Sequence, residues 1–145
     1  ILITLARYGD HLSHEMIDHL LEARTLIFPG VAQQAVKKDP GAVLDYLTTS
    51  VSEKTDPVSF ARYDWGLQTL MVTLAKNPVL KMMFNDFSPV YYLLGQRYFS
   101  REQAREKSLG YYRYLGQAVA KDPCHVRVLV EAAMEDARQL WEILP

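Results

Sequence analysis

A chain of 145 residues with 49% apolar side chains is long enough for one hydrophobic core and too apolar for a disordered segment. Its 16 Lys and Arg against 17 Asp and Glu leave a formal net charge of -1, which excludes the basic footprint of a domain that itself grips nucleic-acid phosphates. The single cysteine, Cys124, cannot form an internal disulfide, and no apolar run approaches the roughly 18 residues of a membrane span, so the expected setting is the cytoplasm.

The chain starts at Ile1, without a methionine and already in helical pattern, so it is expected to be part of a longer protein, with a first helix near residues 2–8. A second helix is expected over 11–37, kinked or broken at Pro29-Gly30. Its apolar face runs through Ile17, Leu20, Leu21 and Phe28, and Arg24 sits on that face among them. A guanidinium there needs a partner, because an unpaired buried charge is costly. Two readings compete. One is a salt bridge to a carboxylate on a neighbouring helix such as Asp64, or a stem that snorkels its charge to the surface; the other is an anchor for the carboxylate, thioester or phosphate oxygens of a ligand. His11, His14 and His19 open the same helix. His11 and His14 have the three-residue spacing of two metal ligands, but His19 falls on another face, so exposed polar histidines are the plainer reading.

Asp39-Pro40, Asp56-Pro57, Asn77-Pro78 and Asp122-Pro123 each put a capping side chain before a proline at the first helical position, where the missing N–H costs nothing. With a capping-box pattern at Ser100 and Gln103, they predict helices over 40–54, 57–76, 78–99, 101–121 and 123–144. Phe60, Tyr63, Leu67, Leu70, Met71 and Leu74 share a face of the 57–76 helix. Asp64 beside it reads as a partner for Arg24, a surface acid, or a metal or ligand contact. Leu80, Phe84, Phe87, Tyr91, Leu94 and Tyr98 share a face of the next helix, which Ser88-Pro89 should kink. So aromatic a stripe suits plain core, or the wall of a tunnel for an apolar ligand with tyrosine hydroxyls as its placed polar groups.

In the last helix Val126, Val130, Ala133, Ala137, Leu140 and Leu144 repeat the helical period, and Trp141 either closes the core or borders the same cavity. His125 and Cys124 lack the arrangement of a base and nucleophile, and there is no P-loop, dinucleotide turn or HExxH. No catalytic residue, and no enzyme activity, is expected. Sustained helical period, short connections and no strand-like alternation predict an all-α antiparallel bundle.

The segments "ILITLAR", "IDHLLEART", "YDWGLQTLMVTLAKNPV", "LGQRYFSREQAREKSLGYY" and "LWEIL" lie along nearly the whole chain. Taken colinearly, they resemble the C-terminal effector domain of the FadR group, fatty-acid-responsive regulators of the GntR family. The resemblance implies a seven-helix antiparallel bundle with an internal ligand cavity, a single sensor domain over residues 1–145. The winged helix-turn-helix that reads operator DNA would be an N-terminal domain absent from this sequence. In that group a long-chain acyl-CoA changes the posture of the DNA-binding domain and releases the operator, and the full-length protein is expected to be a homodimer.

Carried over position by position, Arg24 and Tyr98 match residues bordering the acyl-CoA site. Leu20, Leu21, Phe87, Tyr91 and Leu94 match the acyl tunnel, and Trp141 matches a tryptophan beside the CoA. Met134 and Ala137 stand where that sensor has a glycine and a serine. The methionine would crowd the CoA channel and the alanine lacks a hydroxyl donor, so a free fatty acid competes with acyl-CoA as the expected effector. The wider family's metal set of one Asp and three His reduces here to Asp64, with Gln68, Tyr111 and Ala133 at the histidine positions. No metal or other cofactor is therefore implied.

The expected function is ligand sensing, for a fatty acyl-CoA or fatty acid, by a transcription regulator of lipid metabolism. Its partners would be a small amphiphile, operator DNA through the missing domain, and no membrane. The alternative is a ligand-free helical dimerisation module, which Arg24 buried against Asp64 with no cavity beside Tyr91 and Tyr98 would mark. A metal-dependent sensor or enzyme is the third reading.

Overall fold

A computed structural model of the protein describes residues 13–49 and 51–143. They form six α-helices and one 3-10 turn, with no strand among the described residues. The helices are α1 (His14–Lys38), α2 (Pro40–Thr48), α3 (Pro57–Leu74), α4 (Pro78–Phe99), α5 (Glu102–Lys121) and α6 (Val126–Glu142), the turn Pro123–His125 preceding the last. The all-α expectation holds. The helix expected near 2–8, and the positions of His11 and Leu144, lie outside the described residues.

The Asp-Pro and Asn-Pro signals work as capping chemistry requires. Asp39 accepts from the Ala42 N–H, Asp56 from the Ser59 N–H, and Asn77 from the Val79 and Leu80 N–H groups, so donors orphaned at each helix start are satisfied. Ser13 does the same for α1 through Met16 N–H. Two expected caps are corrected. Ser100 turns its hydroxyl back onto the Arg97 carbonyl, and α5 starts after Arg101 without a side-chain cap. Asp122 opens the 3-10 turn without capping it. The start of α6 is served instead by Gln33 of α1, whose Oε1 accepts from Arg127 N–H at 3.1 Å while its Nε2 donates to the Pro123 carbonyl at 3.0 Å.

Neither internal proline breaks its helix: α1 runs through Pro29 and α4 through Pro89. Pro29 is buried between Phe28 and the core residues Val31 and Ala32, and tertiary packing of this kind outweighs one lost ladder bond. The helix expected to reach residue 54 stops at Thr48. There the Thr48 hydroxyl donates to the Asp45 carbonyl, and Ser52, Lys54 and Thr55 close a turn on one another through hydroxyls that compete with helical bonding.

α1 and α6 pack antiparallel, Asp18 facing Arg138 at one end and Gln33 facing the 123–127 segment at the other. α3 and α4 also pack antiparallel. Phe60 lies against Phe99 with ring centroids 4.5 Å apart, and Trp65 stacks on Tyr91 at 4.4 Å. Phe28, Phe60, Leu67, Met71, Leu115, Val126 and Val130 are fully buried between these layers. Lys38, in the last turn of α1, donates to the Ala75 carbonyl at 2.6 Å and so caps α3 from outside.

Two glycines set how closely helices approach. A Cβ at Gly95 would lie 3.1 Å from the Ala61 Cβ, so α4 crosses α3 at van der Waals limits there. A Cβ at Gly66 would collide with the Tyr46 hydroxyl, which donates to the Tyr63 carbonyl at 2.6 Å and ties α2 to α3. Gly66→Ala is expected to cost about 1–3 kcal/mol of unfolding free energy in chemical denaturation. Tyr46→Phe in the same chain should recover part of that loss by removing the colliding oxygen.

Candidate functional site

Where α1, α3, α4, α5 and α6 converge, they leave a cavity of about 110 Å³. α1 supplies Leu20, Leu21 and Arg24 to its wall, and α3 supplies Asp64 and Trp65. α4 contributes Phe84, Phe87, Val90, Tyr91, Leu94 and Tyr98, α5 contributes Ser108 and Tyr111, and α6 contributes Ala133, Met134, Ala137 and Trp141. All ten residues singled out as ligand-binding candidates thus border one space: Leu20, Leu21, Arg24, Phe87, Tyr91, Leu94, Tyr98, Met134, Ala137 and Trp141. Phe84, Val90, Trp65, Ser108 and Tyr111 are among the further residues of the wall. Phe84 was legible from the aromatic stripe; Ser108 carried no signal.

Part of the wall is aliphatic and aromatic. Ile17, Val90 and Leu94 form a small buried cluster with Leu20, Leu21 and Trp141 packed on it, and Tyr98 lies over Trp141 at 6.4 Å. Another part is a hydrogen-bonded cluster around Asp64. Its Oδ2 accepts from Gln68 Nε2 at 2.8 Å and from the Tyr91 hydroxyl, and its Oδ1 accepts from the Tyr112 hydroxyl at 2.5 Å. The partners of Asp64 are therefore two phenols and an amide, and the expected Arg24–Asp64 salt bridge is corrected. Donors from its own helix and from α4 and α5 reach the carboxylate first, because Gln68 is one turn along and both tyrosines face it across their interfaces.

Arg24 is left with a buried Nε–H that meets no acceptor in the protein, and the Trp141 Nε1–H is buried without a partner too. Gln68 Oε1 is the third such atom, an acceptor turned away from Asp64. An orphaned buried donor costs about 1–3 kcal/mol, and both of these donors belong to residues of the cavity wall.

Burial pushes the Tyr91, Tyr98, Tyr111 and Tyr112 phenols above their ordinary range, and the Asp64 carboxylate pushes in the same direction. Arg24 opposes this at Tyr91, Tyr98 and Tyr111, which places its charge within reach of the same space. All four remain neutral hydroxyls and donors near pH 7. Gln68 and Tyr112 donate to Asp64, one to each of its oxygens. Among the described residues no three His, Cys, Asp or Glu side chains gather to hold a metal. His14 and His19 are exposed, His19 lying 3.7 Å from both Glu15 and Glu22, and His11 is outside the described residues.

A groove of about 480 Å³ between α5 and α6 adjoins the cavity, sharing Tyr98, Ser108, Tyr111, Ala133 and Ala137 with it. On the opposite side of α6, Arg138 reaches Asp18 of α1 through two bonds, Nε to Oδ1 at 2.7 Å and Nη2 to Oδ2 at 3.0 Å. That hydrogen-bonded guanidinium holds the Asp18 carboxyl below its ordinary range. No described helix is long and apolar enough to cross a membrane.

Residues 1–144 match the family described as the FadR C-terminal domain. Proteins named fatty acid metabolism regulator protein are similar over almost all of the chain. The one from Cronobacter sakazakii is 27% identical over 143 residues, covering 97% of this chain and 59% of its own length. That from Proteus mirabilis is 28% identical over 145 residues, covering 99% and 61%. That from Klebsiella pneumoniae subsp. pneumoniae is 29% identical over 143 residues, covering 97% and 59%. The chain spans about three-fifths of the length of these curated relatives.

Proposed function

Because the chain belongs to the FadR C-terminal domain family, we propose that it is the effector-binding domain of a transcription regulator, and that its cavity takes a long-chain fatty acyl-CoA or fatty acid. The observation that carries this reading is an apolar cavity whose wall holds two buried, unpartnered donors, Arg24 Nε–H and Trp141 Nε1–H. An apolar pocket with a few convergent polar groups is the usual form of a small-molecule site. The ligand's chain lies along Leu20, Leu21, Phe87 and Leu94, and its oxygen meets Arg24 and Trp141. No enzymatic step is assigned to it.

The size of the cavity supports a switching role. At about 110 Å³ it is of the order of the roughly 150 Å³ cavity that takes a benzene ring, and below the roughly 300–1,000 Å³ of drug-sized sites. A long chain must therefore part α1 from α4 and α6. A ligand that binds only the parted state shifts the equilibrium towards it by its differential affinity. α1 carries five wall residues, and its displacement passes the shift to a DNA-binding domain in the longer, cytoplasmic, homodimeric protein.

In a thermal melt, hexadecanoyl-CoA or hexadecanoate at about 100 times its Kd should stabilise the chain by roughly 2.7 kcal/mol. Arg24→Ala should fold and lose that response. A melting temperature that neither compound moves would overturn the reading. The alternative of a ligand-free helical module lacks its distinguishing observation, since Arg24 is not paired with Asp64 and a cavity does lie beside Tyr91 and Tyr98.

A further inference from the structure

Resting on the effector-binding reading above, we infer that the polar end of the ligand is a free carboxylate, held inside the cavity by Arg24 and Trp141, and not the thioester of a coenzyme A. Three observations carry this. The first is the state of the guanidinium. Asp64 shares the cavity wall with Arg24, yet it accepts from Gln68, Tyr91 and Tyr112 and makes no ion pair with the guanidinium, so the positive charge remains available to a second anion. Arginine's fork and an indole N–H together match the two oxygens of a carboxylate, whereas a thioester offers one carbonyl oxygen and no charge.

The second observation is what surrounds the cavity. A CoA thioester would have to leave through the wall with its phosphates outside. The α1–α6 seam is acidic: Glu22 and Glu135 flank Arg138, and that arginine is already committed to Asp18 at 2.7 and 3.0 Å. The groove between α5 and α6 offers Lys107 and His125 against Glu106 and Asp136. Neither exit presents the cluster of free cations that phosphate binding uses, and both repel a polyanion.

The third is steric. Met134 is only 6% exposed and closes the α6 wall one turn before Arg138, so a substituent leading outward from Arg24 and Trp141 has to displace it. A carboxylate ends inside and needs no such passage.

The test is calorimetric titration of the full chain with hexadecanoate, hexadecanoyl-CoA and hexadecanol, each below its micellar concentration. Hexadecanoate should bind at least about tenfold more tightly than either of the others, the factor expected for a charge-assisted bond that they cannot make. Trp141→Phe keeps an aromatic side chain, removes the donor and should weaken hexadecanoate severalfold and hexadecanol less. Hexadecanoyl-CoA binding as tightly as hexadecanoate, or more so, overturns the carboxylate assignment and leaves the effector-binding reading standing. Binding of none of the three overturns both.

Discussion

Asp64→Ala is expected to lower the unfolding free energy by about 3 kcal/mol or more, because it takes the acceptor from three hydrogen-bond donors at once. The carboxylate anchors the Tyr91 hydroxyl, the Tyr112 hydroxyl and Gln68 Nε2, and the alanine would strand all three donors between α3, α4 and α5. Each stranded donor costs about 1–3 kcal/mol when no water reaches it. Asp64→Asn keeps one acceptor oxygen and should lose less. Tyr91→Phe and Tyr112→Phe should each be costly in the natural chain and nearly free beside Asp64→Ala, because the bond each removes is then already gone. A double-mutant cycle in urea measures that coupling. An Asp64→Ala protein within 1 kcal/mol of the natural one would show that solvent, and not the tyrosines, holds the carboxylate.

The second large effect is a steep alkaline transition. Tyr91, Tyr98, Tyr111 and Tyr112 are all pushed up by burial first and by Asp64 second, and Tyr46 is pushed up to about 12, again chiefly by burial. Below pH 10 these phenols are neutral in both the folded and the unfolded chain, and they contribute no slope. Above pH 10 the unfolded chain releases phenolic protons that the folded one retains, so stability falls as pH rises towards the folded values. Each fully retained proton costs about 1.4 kcal/mol per pH unit. The four deep tyrosines then remove up to roughly 5.5 kcal/mol per unit, against a total stability of about 5–15 kcal/mol. Unfolding is expected one to three units above pH 10, with tyrosinate absorbance and loss of helical circular dichroism appearing together. Tyrosinate forming gradually around pH 10 with the helices intact would contradict the buried network.

Much of the site was legible in the sequence because it consists of residues that violate the helical apolar pattern. Arg24 on the face of Ile17, Leu20 and Leu21 signalled a polar demand in an apolar place, and the cavity wall is where it lies. The stripe from Phe84 to Tyr98 signalled an aromatic wall for the same reason. Its partners were not legible. By pattern alone Asp64 suits a mate for Arg24, a surface acid, or a metal or ligand contact, and Tyr112 does not stand out, although a tyrosine at helical spacing from Leu115 and Val119 is a core position needing a hydroxyl partner. Gly95 within the stripe was a further available sign of close backbone approach, and Ala61 is what approaches.

The linear pattern by itself determined the all-α class and the helix starts at Asp39, Asp56 and Asn77, and it located the polar exceptions on apolar faces. These are local matters, settled by side chains within one or two turns of each other. Only the tertiary structure decided that Gln33 caps α6, that α1 and α4 continue through Pro29 and Pro89, and that Asp64 belongs to Tyr91 and Tyr112 while Arg24 keeps an open valence. Those outcomes depend on the rotation and register of helices far apart in the chain. A hydrogen bond goes to whichever donor arrives at the right distance and angle, and no spacing along one helix specifies what a neighbouring helix presents.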